Sequence, residues 1–304
     1  MAQKLFALTE TKGYQRFQYQ QGRGCFRWSY LLWPLLDAVV ARKIRHRLGG
    51  NLRVAACGGA PLSPVIAERF ISLGITIIQG YGLTETSPIV SVNTIRDNEP
   101  MSVGRPLPDV KIRIGEHDEL LVKSPGVMQG YWNNPQATAA MIDADGWLHT
   151  GDKAETLEGR IYIIGRIKEI IVLANGEKIP PQDMELAICQ DPLFDQCLLI
   201  GEGLPFLSCL LVLNPQQWSQ FATSLKLDPA QDKTLLNPKL LEAILVRIGL
   251  QIKMFPGYAQ VRRVALIHTP WTVDNELLTP TLKLRREPIL QQHQHLIEPL
   301  YAGH

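Results

Sequence analysis

The clearest hydrophobic pattern lies between residues 52 and 79, where two short apolar runs flank a helix start signal. The first run, LRVAAC at Leu52–Cys57, is typical of a buried strand, and the second, ITIIQ at Ile75–Gln79, is a short β-branched strand. Between them, Ser63 and Pro64 fit a helix N-cap followed by proline at the first helical position. This order predicts a βαβ unit and a parallel sheet, whose ligands bind at the carboxyl ends of the strands. A glycine turn follows each strand at that end.

The pattern changes at about Val103 to short strands separated by turns, with the sequences VKIRIGE, ELLVKS, GWLHTGD and GRIYIIG. Such spacing predicts a small antiparallel sheet or barrel. After Arg166, strands such as QCLLIGEG and LSCLLVLN are followed by helical segments, which is an α+β pattern. We therefore predict an α/β fold with two domains, a first domain at residues 1–166 and a second, smaller α+β domain at residues 167–304.

Composition narrows the class of protein. The chain has 304 residues, 45% of them hydrophobic and 20% charged, with a net charge of +2. The small net charge argues against nucleic-acid binding, and no apolar run reaches the roughly 18 residues of a membrane span. Five cysteines form no C-x-x-C pair, which favours a reduced, cytoplasmic protein with structural thiols.

The first fifty residues have a strong charge bias, with nine basic residues against two acidic ones. Within them, CFRWSYLLWPLLDAVVARKIRHRLGG (Cys25–Gly50) is apolar and aromatic first and basic afterwards. Such a segment can lie on an anionic membrane surface. The alternative is a helix packed on the domain with its basic end in solvent, and the lack of a clean amphipathic period favours this alternative.

The glycine turn after the second strand, QGYGLTETSP, carries candidate chemistry. Its glycines allow a ligand to approach the backbone closely. Tyr81 can stack on a planar base, Thr84 can donate to a phosphate oxygen, and Glu85 is a hard oxygen ligand suited to Mg²⁺. A polar glycine-rich turn by itself is more often only a turn.

Four further segments support a nucleotide site. CGGAPL (Cys57–Leu62) is the other glycine turn. GWLHTGD ends in Asp152, whose carboxylate can accept hydrogen bonds from both hydroxyls of a ribose. Arg166 and Lys168 lie at the predicted domain boundary, and LLTPTLKLRR offers Lys283 near the end of the chain.

These five segments, in this order and spacing, resemble the adenylate-forming superfamily of acyl-CoA synthetases, nonribosomal adenylation domains and luciferases. QGYGLTETSPIVSVN, GVMQGYWNNPQAT and ELLTPTLKLRR look most like bacterial long-chain fatty-acid–CoA ligases (AMP-forming). The resemblance runs from about Leu48 to Arg286, and it implies ATP, Mg²⁺ and CoA as reactants and a long-chain fatty acid as substrate. In this reaction, the fatty acid becomes an acyl-adenylate, and CoA then displaces AMP.

The resemblance also implies a role for each matching residue. Gly59, Ala60 and Pro61 lie along the adenine, and Gly80 and Tyr81 complete its slot, with Tyr81 stacking on the base. Thr84 contacts the α-phosphate, Glu85 holds Mg²⁺, Asp152 binds the ribose hydroxyls and Arg166 lies beside them. In the small domain, Lys168 is the hinge, Lys283 reaches the α-phosphate and the acyl carboxylate, and Gly176 lines the pantetheine tunnel.

Nearby histidine and tryptophan residues have structural rather than chemical interpretations. We expect His149 to orient its strand, and Trp132 and Trp147 to be core residues. His293–His295 has no metal-ligand spacing to a third group and is predicted to lie on the surface.

The chain departs from the family pattern upstream of Leu48. Full-length members carry several hundred further residues there, including a Ser/Thr/Gly-rich loop around the β- and γ-phosphates, and no P-loop motif replaces that loop here. The resemblance thus implies the C-terminal portion of a ligase, in which residues 1–166 are the C-terminal part of the large domain and residues 167–304 are the small mobile domain. We expect little acyl-adenylate formation by the chain alone. The chain is then a truncated gene product, a split gene product or an expressed fragment, and in the split case its partner is a separately encoded N-terminal half. The alternatives are a non-catalytic adenylate- or acyl-binding module and an enzyme that uses a carrier protein instead of CoA. The resemblance implies peripheral association with the inner face of a membrane.

Overall fold

A computed structural model describes residues 2–303 of the chain and divides it into two compact units, with the division between Ile167 and Lys168. Within residues 2–303, every helix is either too short or too polar to cross a membrane. The five cysteines are all free.

The first unit begins with helices. Helix α1 (Ala2–Gln20) packs against a later helix, α4 (Pro64–Ser72), where the Tyr14 hydroxyl donates to the Glu68 carboxylate at 2.9 Å. Helices α2 (Trp33–Leu36) and α3 (Arg42–Arg47) follow, joined by a π-helical turn. Helix α1, which precedes the segment Cys25–Gly50, thus packs on α4 of the first unit.

A βαβ unit forms the centre of this first unit. Strand β1 (Val54–Cys57) runs parallel to β2 (Thr76–Gly82), with Val54 opposite Thr76, and α4 connects them. Pro64 occupies the first turn of α4, where the missing N–H costs no hydrogen bond. The predicted βαβ unit is confirmed. Strands β3 (Ile89–Val92) and β4 (Arg105–Pro106) extend the sheet in antiparallel fashion.

A second, antiparallel sheet completes the first unit, as predicted. Its strand order is β5 (Lys111–Ile114), β6 (Glu119–Lys123), β7 (Leu148–Leu157) and β8 (Arg160–Arg166), with helix α5 (Pro135–Met141) between β6 and β7. Burial alternates along the first part of β7, as expected where one face packs on a core and the other meets solvent, whereas Leu120, Leu121 and Val122 of β6 are all buried.

The second unit is an α+β fold around a three-stranded sheet. Strand β12 (Leu207–Leu213) is central and buried along its whole length, since helices cover both of its faces. It pairs antiparallel with β11 (Phe194–Ile200) and parallel with β13 (Val261–Ile267). The other elements are the short hairpin β9 (Ile171–Val172) and β10 (Lys178–Ile179), and the helices α6 (Pro181–Ile188), α7 (Pro215–Ser224), α8 (Pro238–Gln251), α9 (Arg286–Gln292) and α10 (Gln294–Tyr301).

Candidate functional site

The first glycine turn lies at the carboxyl end of β1, beside Gly80–Gly82. These three residues were expected to form a second turn, but they continue strand β2 and pair with β3. Cys57 is opposite Gln79 in the parallel register, so the residues that follow emerge together. A Cβ added to Gly58 would lie 3.4 Å from the Gly80 carbonyl oxygen, and one added to Gly80 would lie 3.1 Å from the Ser91 carbonyl oxygen. The candidate residues Gly59, Ala60 and Pro61 are exposed at this edge. Small residues here leave the backbone open to a ligand.

Tyr81, Asp152 and Arg166 form one hydrogen-bonded cluster. Asp152 and Arg166 are directly opposite each other on β7 and β8, and the Arg166 Nε lies 3.1 Å from the Asp152 Oδ1. The Tyr81 hydroxyl donates to the Asp152 Oδ2 at 2.5 Å. Burial of Tyr81, followed by the charge of Asp152, raises the pKa of Tyr81, so its hydroxyl remains a donor. Stacking of Tyr81 on a base stays a prediction.

The backbone around Asp152 is itself fixed by hydrogen bonds. The buried Thr150 hydroxyl donates to the Leu120 carbonyl on β6 at 2.7 Å and accepts from the Asp152 N–H at 3.1 Å. Asp152 is buried, with 6% of its side chain exposed, while Arg166 is half exposed. The carboxylate is therefore held in one orientation beside a solvent-accessible cation.

Thr84 and Glu85 lie on a single 3₁₀ turn after β2. The buried Thr86 secures this turn, since its hydroxyl accepts from the Leu83 N–H at 3.0 Å and lies 2.8 Å from the Pro88 carbonyl. Thr84 is exposed and Glu85 is half buried. The 3₁₀ turn therefore presents the Thr84 hydroxyl and the Glu85 carboxylate shortly after the glycine-bearing end of β2.

Tyr131 is a site residue to which sequence reasoning gave no role. Its hydroxyl donates to the Glu85 Oε1 at 2.8 Å, and the Met128 N–H donates to the Glu85 carbonyl at 2.8 Å. The hydrogen bond to Glu85 raises the pKa of Tyr131. The motif GVMQGYW was a signal for this region, but only the fold shows which residue it contacts.

A single carboxylate at this turn fits Mg²⁺ better than a transition metal. Among residues 2–303, no group of three or more His, Cys, Asp and Glu side chains could hold a metal ion. Mg²⁺ is commonly bound by one or two carboxylates together with water and the phosphates of a substrate, so Glu85 alone could hold Mg²⁺ in a metal–nucleotide complex.

The remaining candidate residues belong to the second unit. Lys168 lies in a 3₁₀ turn, Ile167–Glu169, and is the first residue of this unit. Gly176, with φ +86°, forms the β9–β10 turn. The exposed Lys283 lies in a tight loop closed by a bridge between Leu278 and Leu284. In this loop, the Lys283 N–H donates to the Thr279 hydroxyl at 3.0 Å and the Lys283 carbonyl accepts from the Thr279 N–H at 2.8 Å.

Two structural expectations are wrong and one is consistent with the structure. Trp132 is 91% exposed because it lies in a turn between β6 and α5 rather than on an element that packs. His293 is buried, and its Nε2 accepts from the Trp271 indole N–H at 3.2 Å. His149 on β7 contacts the Glu119 carboxylate on β6 at 2.8 Å, as expected for a residue that orients its strand.

Comparisons with known proteins agree with this architecture. The chain superimposes with a TM-score of 0.71 on the A domain of carboxylic acid reductase from Segniliparus rugosus, in complex with AMP and a co-purified carboxylic acid. That match has 22% sequence identity and covers 97% of this chain and 46% of the other. The chain therefore shares the fold of the part of that domain that it covers.

Sequence comparison defines the family. A model described as "AMP-binding enzyme" matches residues 7–132, and one described as "AMP-binding enzyme C-terminal domain" matches residues 168–304. The chain belongs to the AMP-binding enzyme family, which confirms the resemblance seen in its motifs.

Two curated relatives illustrate the relationship. The chain is 35% identical to long-chain-fatty-acid–CoA ligase FadD15 of Mycobacterium bovis, over 88% of this chain and 45% of the relative. It is 32% identical to probable acyl-activating enzyme 16, chloroplastic, of Arabidopsis thaliana, over 90% of this chain and 41% of the relative. The chain thus spans less than half the length of these relatives.

Proposed function

We propose that the first unit binds the adenylate part of ATP, and that the chain serves an enzyme that converts a long-chain fatty acid to its acyl-CoA thioester. The observation that carries this proposal is the glycine turn after β1, which adjoins the glycine-bearing end of β2, together with Asp152, which Tyr81 and Arg166 hold in place. The relative named long-chain-fatty-acid–CoA ligase supports the choice of substrate.

The residues of the first unit can bind and orient the nucleotide. The Asp152 carboxylate can accept hydrogen bonds from ribose hydroxyls, and the Arg166 guanidinium can donate beside them. Gly59, Ala60, Pro61 and Gly80 leave the backbone open along the adenine. Thr84 can donate its hydroxyl to an α-phosphate oxygen, and Glu85 can hold Mg²⁺, which offsets phosphate charge when it is bound.

The residues of the second unit complete the proposal. The Lys283 ammonium can offset negative charge as the fatty-acid carboxylate attacks the α-phosphorus and pyrophosphate leaves. The CoA thiolate then attacks the acyl-adenylate carbonyl and AMP leaves. Movement about Lys168 would withdraw Lys283 after the first half-reaction and bring in the turn at Gly176. That turn would then line the path of the pantetheine arm.

Nucleotide binding to the full chain tests the first part of the proposal. We expect AMP binding by isothermal titration calorimetry, and we expect Asp152→Asn to weaken it at least tenfold. Glu155→Gln is the matched control, because Glu155 lies on the same strand with its side chain exposed. AMP binding that is absent, or equal in the wild type and Asp152→Asn, would contradict the proposal.

Conversion of oleate to oleoyl-CoA tests the second part. The full chain, with and without Lys283→Ala, is incubated with ATP, Mg²⁺ and CoA, and again with a separately expressed upstream half of a relative. Lys283-dependent activity in either case supports the ligase proposal. AMP binding without turnover in both cases would favour a non-catalytic adenylate-binding module.

A membrane contact is a second proposal, supported by the exposed side chains of Cys25–Gly50. Trp28 is 80% exposed, Leu31 is 67% exposed and Leu35 is 64% exposed. Exposed Arg42, Lys43 and Arg47 follow, while the single acidic residue of this segment, Asp37, pairs with Arg45 at 2.7 Å. An apolar surface that continues into cations suits an anionic bilayer.

Co-sedimentation with vesicles tests this contact. We expect binding to phosphatidylglycerol vesicles, weaker binding to phosphatidylcholine vesicles, and loss of binding in Trp28→Ser/Leu35→Ser. Val246→Ser/Leu250→Ser is the control, since these residues are equally exposed but lie on α8 in the second unit. Equal loss in both double variants would count against a specific surface.

A further inference from the structure

The segment Gly126–Trp132 (GVMQGYW) contacts the turn that bears Glu85 at three points. The Met128 N–H donates to the Glu85 carbonyl, and the Tyr131 hydroxyl donates to the Glu85 Oε1, both at 2.8 Å. A Cβ added to Gly126 would lie 2.9 Å from the Thr86 carbonyl oxygen, so the two backbones are in close contact. Both the main chain and the side chain of Glu85 are therefore held by one neighbouring segment.

Tyr131 is itself held in place from the other side. Its N–H donates to the Thr138 hydroxyl at 2.9 Å, and that hydroxyl also contacts the Asn134 carbonyl at 2.9 Å. The Asn134 side chain caps α5 by accepting from the Ala137 N–H at 3.0 Å. The backbone of Tyr131 is thus anchored to the start of α5, which limits where its hydroxyl can reach.

The chemistry of the Tyr131 contact suits a carboxylate that binds a cation. A phenol is a neutral donor, so it orients one oxygen of Glu85 without bringing a positive charge beside it. A lysine or arginine in its place would repel Mg²⁺. The other oxygen of Glu85 keeps its lone pairs for a metal ion. Groups that orient a metal ligand in this way commonly change metal affinity by roughly 10–100-fold when they are removed.

We propose that Tyr131 is a positioning residue that directs the Glu85 carboxylate towards the divalent cation of a bound metal–ATP complex. This inference rests on the proposed nucleotide site. It gives the GVMQGYW segment a role in metal-dependent binding, in addition to the roles of Thr84 and Glu85.

The test uses Mn²⁺ as a spectroscopic substitute for Mg²⁺ and the full chain with ATP. Electron paramagnetic resonance measures Mn²⁺ bound in the presence of ATP, and calorimetry measures ATP binding in EDTA. We expect Tyr131→Phe to weaken the binding of Mn²⁺ with ATP by about tenfold or more and to leave ATP binding in EDTA unchanged. Trp132→Phe, an exposed change in the same turn, is the matched control and should behave as the wild type in both assays.

The outcomes separate this inference from the proposed function. If Glu85→Ala weakens the binding of Mn²⁺ with ATP but Tyr131→Phe does not, the inference fails and the proposed site stands. If Tyr131→Phe weakens ATP binding equally in EDTA, its role is structural and the inference also fails. If the wild type and Glu85→Ala bind Mn²⁺ with ATP equally, or neither binds it, the proposed site and the inference fail together.

Discussion

The buried ion pair between Glu185 and Arg286 gives a sharp test of the energetics of the second unit. Only 8% of the Glu185 side chain and 19% of the Arg286 side chain are exposed. The Glu185 Oε1 accepts from Arg286 Nη1 and from the Leu199 N–H, both at 2.7 Å, and Arg286 Nη2 donates to the Leu199 carbonyl at 2.6 Å. The pair therefore ties the start of α9 to α6 and to strand β11.

Removing the guanidinium should leave a buried carboxylate without its cation. Arg286→Met keeps most of the aliphatic stem, and breaking such a pair from one side costs about 3–5 kcal/mol. Burial already raises the pKa of Glu185, while Arg286 lowers it. Without Arg286 the carboxyl group would instead take up a proton. Protonating a carboxyl group with an ordinary pKa of about 4.3 costs about 3.7 kcal/mol at pH 7, and this cost limits the stability that Arg286→Met can lose.

This reasoning also predicts the sign of the pH dependence in Arg286→Met. The folded-state pKa of Glu185, which burial already raises in the wild type, rises further without Arg286, so the folded variant keeps its proton to a higher pH than the folded wild type. The stability of the variant is greatest below about pH 4.3 and falls as the pH rises through the folded-state pKa. Its deficit relative to the wild type should therefore be up to about 2.7 kcal/mol smaller at pH 5 than at pH 7.

Hydrogen exchange with mass spectrometry can measure the loss in the second unit alone, from peptides that cover β11 and β12. Arg285→Met is the matched control, because the neighbouring Arg285 is exposed and its guanidinium donates to the Glu276 carbonyl at 2.9 Å rather than to a buried carboxylate. The control should change the free energy of opening by less than about 1 kcal/mol. If Arg286→Met costs no more than Arg285→Met, or if its deficit is the same at both pH values, the argument from the buried charge is refuted.

Two further predictions concern the backbone and a surface ion pair. Gly82→Ala should destabilise the first unit by about 1–3 kcal/mol, because its Cβ would lie 1.8 Å from the Pro88 carbonyl oxygen. The Cβ of Gly249→Ala on α8 would meet no atom within 4 Å, so this change should stabilise the second unit by about 0.5–1 kcal/mol. Hydrogen exchange of each unit would measure both changes, and effects of the same sign would count against this packing. Arg160 and then Arg105 lower the pKa of Asp97, so the stability that this carboxylate contributes is present above about pH 3.9 and lost as the pH falls through its lower folded-state pKa. Asp97→Asn should therefore lower the melting temperature at pH 7 but much less near pH 3, and an equal difference at both pH values would contradict the assignment.

Local sequence patterns were enough to predict much of the fold. Three local signals specify their elements through the preferences of neighbouring residues. They are the β-branched run of β2, the proline at the start of α4 and the short, turn-separated runs that form β5–β8. The family resemblance depended on the same local information, since each motif is a short contiguous segment. The family models agree with it.

Contacts between distant segments were decided only by the tertiary structure. Tyr81 and Asp152 are 71 positions apart in the sequence, and Glu85 and Tyr131 are 46 positions apart. No sequence periodicity connects the members of either pair. The exposure of Trp132 and the burial of His293 were likewise decided by which elements pack over each side chain. The sequence by itself therefore determined the elements, the family and the candidate site residues. The tertiary structure decided which side chains hold those residues in place, because that depends on how strands β2 and β7 and the turns beside them are brought together.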